Sequence, residues 1–197
     1  MKIIGITGGI GAGKSTVSSY IRDRGYEVVD ADAISRSLTE KGSPVLSELA
    51  AAFGGEILTP DGALDRRKTA AIVFADPEKK ARLERIITDR VLEIVTERAE
   101  AFRTKPSGTV FLDVPLLFET DAWKLCDEIW FVTARQEIRI DRVMEREHCT
   151  REDVLARIAS QMPEEEKRSR SDVVIDNSRG LEELLDQLDE LLALAEG

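Results

Sequence analysis

Apolar residues follow two patterns along this chain: short continuous runs, and stripes that recur every three or four positions. The runs are typical of strands buried in a parallel sheet, and the stripes are typical of helices with one apolar face. The predicted strands lie within residues 3–6, 26–32, 109–115, 128–133 and 172–177. Because helical stripes separate successive strands, we predict an α/β fold with a five-stranded parallel sheet flanked by helices.

Helical patterns also occupy residues 43–105, where no clear strand interrupts them. A helix is predicted to begin at Ser43, which is followed by proline, and to end at Gly54. A longer helix with a regular apolar stripe is predicted to begin at Pro77. Later in the chain, residues 150–153 predict a capping box, and the C-terminal leucines predict an amphipathic helix packed on the sheet.

Composition excludes several classes of protein. The 197 residues fit one domain with an insertion, and 38 acidic against 28 basic residues disfavour a nucleic-acid partner. Cys126 and Cys149 form no metal motif, so free thiols in a reducing compartment are expected. The chain starts with a predicted strand rather than a signal peptide, and no apolar run has the length of a membrane span. We therefore expect a cytoplasmic protein without a membrane partner.

The glycine-rich segment at residues 8–16 carries the most specific chemistry. It reads G-G-I-G-A-G-K-S-T and fits the phosphate-loop pattern G-x-x-x-x-G-K-[ST], between a predicted strand and a predicted helix. In this setting backbone N–H groups surround the phosphates of a nucleoside triphosphate. Lys14 would reach the β- and γ-phosphates, and the Ser15 hydroxyl would hold Mg²⁺. The predicted nucleotide contacts are Gly11, Ala12, Gly13, Lys14, Ser15 and Thr16.

Acidic residues close two of the predicted strands. Asp30 and Asp32 follow the second strand, so they would lie near the phosphate loop if that strand neighbours the first. The alternative for Asp32 is that it only caps a helix beginning at Ala33. Asp113 follows the third strand, the position at which phosphate-loop enzymes carry an acid that orients Mg²⁺ or its water. We therefore predict Asp113 as a second metal residue.

Arginines recur at helical spacing between the fourth and fifth strands. Arg139, Arg142 and Arg146 share one helical face, and Arg135 precedes them. One interpretation is a solvated helix held by ion pairs with interleaved acids. The other is a lid whose guanidinium groups neutralise charge on a transferring phosphoryl group. Both interpretations remain open, and Arg139 and Arg142 are the better candidates for the lid. His148, the single histidine, is given no role.

Other phosphate-loop classes fit the chain less well. A regulatory GTPase reads guanine with an N-K-x-D loop, whereas the only asparagine here, Asn177, is followed by Ser178. The glycine-rich signature of transport ATPases is also absent after the phosphate loop. A short chain with the loop at its N-terminus is the layout of small-molecule kinases.

The sequence resembles the dephospho-CoA kinase family over nearly its whole length. The matching stretches are T-G-G-I-G-A-G-K-S-T from Thr7, D-A-D from Asp30, L-D-R from Leu64, V-P-L-L-F-E from Val114, R-I-A-S-Q from Arg157 and D-V-V-I-D-N from Asp172. The resemblance implies one domain over residues 1–197, with a nucleotide core of about 1–40, 108–134 and 171–197. A helical CoA-binding insertion of about 41–107 and a lid of about 135–170 would complete it.

The resemblance also implies the reaction and its residues. ATP, with Mg²⁺, would give its γ-phosphoryl group to the 3′-hydroxyl of dephospho-CoA, the last step of coenzyme A synthesis. Asp32 would accept or orient the hydroxyl proton, and Asn177 would lie by the adenine. Lys14, with Arg139 or Arg142, would offset charge on the transferring group. The acceptor site would be shaped by Leu64, Asp65, Arg66, Pro115, Leu116, Leu117, Phe118 and Glu119.

One departure from the family pattern lies in the insertion. The family usually carries a His-Pro pair where this chain has Thr88-Asp89. Losing the proline removes a helix break, so the helix is expected to run straighter. Losing the histidine removes one expected contact to the acceptor, and Arg90 is a candidate substitute as a phosphate binder.

Two alternatives to this function stay open. One is another nucleotide or small-molecule kinase of the same fold, and the other is an ATP-binding regulator without phosphotransfer. The sequence does not fix the oligomeric state, for which a monomer is favoured.

Overall fold

The computed structural model describes residues 1–195 and contains one five-stranded parallel sheet. The strands are β1 Lys2–Gly8, β2 Glu27–Asp30, β3 Thr109–Asp113, β4 Glu128–Thr133 and β5 Val173–Asp176. β1 pairs in parallel with β3 and with β4, and β4 pairs in parallel with β5. The predicted α/β fold with a five-stranded parallel sheet is therefore confirmed.

Helices separate these strands. They are α1 Lys14–Asp23, α2 Ala31–Leu38, α3 Pro44–Phe53, α4 Arg66–Phe74, α5 Pro77–Arg103, α6 Gln136–Glu147, α7 Arg151–Ala159, α8 Glu164–Ser169 and α9 Leu181–Ala195. Two short 3₁₀ helices cover Gly55–Ile57 and Ala122–Leu125. The capping box predicted for α7 is present, since the side chains of Thr150 and Asp153 each accept a hydrogen bond from the backbone N–H of the other residue. Within residues 1–195, no helix is both long and apolar enough to cross a membrane.

The strand order is β2-β3-β1-β4-β5, which places β1 at the centre of the sheet. The chain leaves β1 toward one edge and later returns to build β4 and β5 on the other side. Ligands bind beyond the carboxyl ends of strands at such a reversal, and the phosphate loop follows β1 there. Asp30 and Asp32 are expected near the phosphate loop on the condition that β2 lies beside β1. β2 lies beside β3 instead, so this reason for placing the two acids near the loop does not hold.

The core of the sheet is built from aliphatic and aromatic side chains on one face. Phe111 and Trp130 are fully buried and meet edge to face with their ring centroids 5.2 Å apart. Leu184, Leu188 and Leu192 of α9 join the same cluster, so the C-terminal helix packs on the sheet as predicted. Because these side chains are almost entirely buried, they fix the strands whose ends carry the site.

Both cysteines are free thiols, as expected from their number and spacing. Cys126 lies against Gly5 of β1, where an added Cβ would meet its sulfur at 2.7 Å. Burial is the main cause that raises the pKa of the Cys126 thiol to about 12. The thiol therefore stays protonated and unreactive at neutral pH.

The chain divides into two compact units. The first contains Met1–Val29 and the chain from Arg98 onward, and it carries the phosphate loop. The second is Asp30–Glu97, which holds α2, α3, α4 and most of α5. Within it, α5 runs without a break through Thr88 and Asp89. The uninterrupted helix is the result expected from the missing proline.

Candidate functional site

The phosphate loop spans the five residues between the end of β1 at Gly8 and the start of α1 at Lys14. Gly11 and Gly13 have φ angles of 75° and 91°, a left-handed backbone that favours glycine. Gly13 is the N-cap residue of α1, so no side chain caps the start of this helix. The first turn of α1 therefore keeps N–H groups and the positive end of its dipole for an anion.

Lys14 and Asp113 are brought together at the carboxyl ends of β1 and β3. The Lys14 ammonium donates to Asp113 Oδ1, and Asp113 is only 4% exposed. Asp113 stands opposite Ile6 in the ladder, so sheet pairing fixes its height beside the loop. An ammonium has three donors, and the pair uses one of them, so Lys14 retains donors for phosphate oxygens.

The predicted Mg²⁺ residues offer chemistry suited to that ion. Ser15 is exposed at the first turn of α1, and Asp113 presents a carboxylate at the end of β3. Hydroxyl and carboxylate oxygens suit Mg²⁺, which takes its other ligands from substrate phosphates and water rather than from a protein cage. Among residues 1–195 no cluster of three acidic, histidine or cysteine side chains could hold a metal.

The two candidate lid arginines face the phosphate loop rather than solvent. Arg139 is 3% exposed, and its Nε donates to the Ile10 carbonyl at 2.9 Å. Its guanidinium also pairs with Glu164, whose other carboxylate oxygen accepts from Thr133. Arg139 therefore contacts the loop from α6 and is fixed there by a carboxylate of α8.

Arg142 and Asn177 form a second connection to the loop. The Asn177 amide donates to the Ala12 carbonyl at 2.9 Å, and Arg142 Nη2 donates to the Asn177 carbonyl at 3.1 Å. Arg142 Nη1 is buried and has no hydrogen-bond partner among the described residues. This unsatisfied donor beside the start of α1 is suited to a polar group of a bound nucleotide.

The outer arginines, Arg135 and Arg146, are exposed, as expected for a solvated helix. Arg135 is exposed as the residue before α6, and Arg146 pairs with the adjacent Glu147. His148 is exposed at the C-terminal end of α6 with a φ of 52°. The arginine run therefore divides in two, with Arg139 and Arg142 directed inward and the others outward.

Alanine in place of Gly13 should destabilise the protein and weaken nucleotide binding. A Cβ there would overlap the Asn177 amide, and the alanine would have to adopt the left-handed backbone of this position. We expect a loss of about 2–4 kcal/mol in unfolding free energy from backbone strain and the broken Asn177 bond. Urea unfolding and ADP titration would measure the two effects.

Gly25 supplies the matched control for this prediction. Its φ is 90°, but a Cβ there would have nothing within 4 Å. Gly25→Ala should therefore show only the backbone cost of about 1–2 kcal/mol and normal ADP binding. Equal losses in the two variants would mean that Asn177 contributes nothing to the loop.

The 115–119 segment forms a turn directly after β3. Thr7 of β1 donates to the Pro115 carbonyl at 3.2 Å, which ties the turn to the central strand. Leu117 and Phe118 are both buried. Leu116 is 44% exposed. The two buried side chains anchor the turn and present Leu116 and the polar end residue.

Glu119, the end residue of that turn, lies beside a buried lysine. Lys167 Nζ is 3.0 Å from Glu119 Oε1, and Lys167 is only 1% exposed. Arg170 lies over the Phe118 ring at 4.4 Å from its centroid. The 115–119 turn is thus held by two cationic side chains from α8 and its C-terminal end.

In the second unit, Asp30 and Asp32 have different roles at the start of α2. The Asp30 carboxylate accepts from the Ala33 N–H at 2.8 Å and caps the helix. The cap alternative is therefore wrong for Asp32, because α2 begins two residues earlier than Ala33. Asp32 is exposed in the first turn, without a hydrogen bond or ion pair inside its own unit. Its carboxylate therefore has no structural role in the helix cap.

The predicted acceptor residues Leu64, Asp65 and Arg66 lie where α4 begins. Leu64 forms an isolated antiparallel bridge with Leu58, and Asp65 caps α4 by accepting from the Lys68 N–H at 3.0 Å. That backbone hydrogen bond is the main cause that lowers the pKa of Asp65. Arg66 is exposed. Asp65 therefore has a structural task, and Arg66 is the free charged group of the three.

Arg90, the candidate substitute for the family histidine, is engaged by acids. Its guanidinium pairs with Glu93 at 2.6 Å and with Glu48 of α3 at 3.4 Å. Both contacts are about half exposed, so each is a weak interaction that a ligand could displace.

Sequence patterns assign no role to Glu164, Thr133 or Lys167. Glu164 and Lys167 are three apart on one helix, a spacing that places them on one face. That spacing was available from the sequence, but their partners lie 25 and 48 positions away and depend on tertiary structure.

Comparisons with known proteins agree with this geometry. The sequence model of the dephospho-CoA kinase family matches residues 2–183. The dephospho-CoA kinase of Anaeromyxobacter dehalogenans is 42% identical over 193 residues, covering 98% of this chain and 92% of that protein. A crystal structure from Thermus thermophilus has 40% identity and a TM-score of 0.78, covering 100% of this chain and 98% of that one. The dephospho-CoA kinase of Campylobacter jejuni, at 22% identity and TM-score 0.75, covers 98% and 96% and shares the fold.

The sheet order, the phosphate loop and the paired Lys14 and Asp113 define a phosphate-loop kinase. With the match over residues 2–183, this chain belongs to the dephospho-CoA kinase family.

Proposed function

We propose that the protein transfers the γ-phosphoryl group of ATP to the ribose 3′-hydroxyl of dephospho-CoA, giving coenzyme A and ADP. The observation that carries the proposal is the match of the dephospho-CoA kinase family to residues 2–183, which include a fully formed phosphate loop with Lys14 at its end. The proposed partners are these two small molecules, and the proposed location is the cytoplasm.

The donor half of the proposed mechanism belongs to the phosphate loop and its neighbours. N–H groups of the loop and of the first turn of α1 would bind the phosphates. Lys14 would place its remaining donors on the β- and γ-phosphates, where charge develops as the bond to the leaving oxygen lengthens. Mg²⁺, held by Ser15 and oriented by Asp113, would neutralise phosphate charge.

The acceptor half would use Asp32 and the 115–119 turn. Asp32 would orient the 3′-hydroxyl and take its proton. A carboxylate is a weak base at neutral pH, but the loose transition state demands positioning more than basicity. The 115–119 turn, with Leu64, Asp65 and Arg66, would bind the remainder of dephospho-CoA.

The expected result of the direct test is that purified protein with Mg·ATP converts dephospho-CoA to CoA and ADP. Coupled detection of ADP, with CoA identified by mass, would measure it. Adenosine monophosphate serves as a competing acceptor, since the alternative is another nucleotide or small-molecule kinase of the same fold. Turnover of another acceptor alone would favour a different kinase of this fold, and ATP binding without any product would favour a regulator.

A further inference from the structure

The short helix α8 is connected both to the phosphate loop and to the 115–119 turn. Glu164 and Lys167 stand three residues apart, so they project from one face of the helix. Glu164 pairs with Arg139, which contacts the phosphate loop. Lys167 pairs with Glu119, which ends the 115–119 turn. One side chain of this helical turn thus contacts Arg139, which contacts the donor loop, and the other contacts the candidate acceptor turn directly.

On the donor side, Glu164 determines where the Arg139 guanidinium lies. The carboxylate accepts from Arg139 and from the Thr133 hydroxyl, so both of its oxygens are used. Arg139 in turn lies against Gly9, where an added Cβ would be 2.5 Å from Nη2. Because Arg139 is 3% exposed, a charged partner is needed to hold it there. Glu164 therefore acts on the loop through Arg139.

On the acceptor side, Glu119 is the counter-charge of a buried ammonium. Lys167 makes an ion pair at 3.0 Å but no well-directed hydrogen bond among the described residues. A buried ammonium without a carboxylate nearby would be strongly unfavourable, so the two groups hold each other in place. The position of Glu119 is consequently set by Lys167.

We propose that Glu164 and Lys167 are positioning residues, Glu164 for ATP through Arg139 and Lys167 for dephospho-CoA through Glu119. This inference rests on the proposed function, and it gives Arg139 a different task from a lid that closes over the γ-phosphate. Arg139 holds the loop in shape, and Glu164 holds Arg139.

The test is a comparison of two neutralising variants with two controls on the same helix. Glu164→Gln should raise the KM for ATP roughly tenfold and leave the KM for dephospho-CoA within about twofold, because one charge-assisted bond to Arg139 is lost. Lys167→Met should give the reverse, since methionine fills the buried space but leaves Glu119 unpaired. Glu165→Gln and Arg168→Met change exposed neighbours, and both KM values should stay within about twofold.

A purely structural role for α8 gives a different result. If the helix only stabilises the fold, Glu164→Gln and Lys167→Met would lower the melting temperature and move both KM values together or neither. Either pattern would overturn the proposal. Should either variant fail to fold, Glu164→Asp and Lys167→Arg, which keep the charge but move it, replace them with the same expected split.

Binding measurements separate this inference from the proposed reaction. Calorimetric titration with ADP and, separately, with dephospho-CoA should show the same split in Kd without any turnover. An inactive wild-type protein that nevertheless shows the split would reject the kinase reaction and retain the positioning roles. An active wild-type protein without the split would retain the reaction and reject the roles.

Discussion

Lys14→Met is expected to lower kcat/KM for ATP by about 10²–10³-fold and to destabilise the folded protein as well. The rate falls because a fixed positive charge at the developing phosphate charge is lost, and one such group is typically worth that factor. Stability falls because Asp113, which is 4% exposed, loses the ammonium that it accepts from. Removing one partner of a largely buried pair costs about 3–5 kcal/mol. Steady-state kinetics and urea unfolding would measure the two losses.

The double variant Lys14→Met with Asp113→Asn separates these effects. Replacing the carboxylate by a neutral amide removes the uncompensated charge, so most of the lost stability should return. Activity should not return, because neither Lys14 nor Asp113, the acid proposed to orient Mg²⁺, is restored. Near-normal turnover by Lys14→Met alone would remove Lys14 from the mechanism, and equal stability of Lys14→Met and the double variant would show that the lost stability does not come from the uncompensated Asp113 charge.

The geometry of the phosphate loop could be predicted from the sequence because its information is local. The phosphate loop needs glycines at fixed positions and a lysine at the start of a helix, all within nine residues. Asp113 was also predictable, because an acid at the end of a buried strand has a fixed place in a parallel sheet. Both predictions depend on backbone geometry that neighbouring residues specify.

The contacts around Arg139 could not be predicted because they are not local. Helical spacing predicted that Arg139 and Arg142 share a face, but no pattern indicated which neighbour that face meets. Glu164 lies 25 residues further along and belongs to a helix of only six residues. The same reason applies to strand order, since the alternation of strands and helices is equally compatible with β2 beside β1 or beside β3.

The start of α2 shows how a small error at a boundary changes an interpretation. Asp30 and Asp32 are both good N-cap residues, and sequence patterns place helix ends only to within a few residues. With Asp30 as the cap, the Asp32 side chain makes no capping hydrogen bond. A substitution at Asp32 can therefore test chemistry without weakening the cap.

Asp32→Asn is expected to lower kcat by about 10²–10⁴-fold, the usual contribution of a positioned general base, with ADP binding unchanged. The amide keeps the size of the side chain but cannot take the proton of the acceptor hydroxyl. Asp30→Asn is the matched control, because asparagine caps a helix as well as aspartate does, and its kcat should stay within severalfold of wild type. Normal turnover by Asp32→Asn would contradict the role of Asp32 as the group that takes the proton of the acceptor hydroxyl.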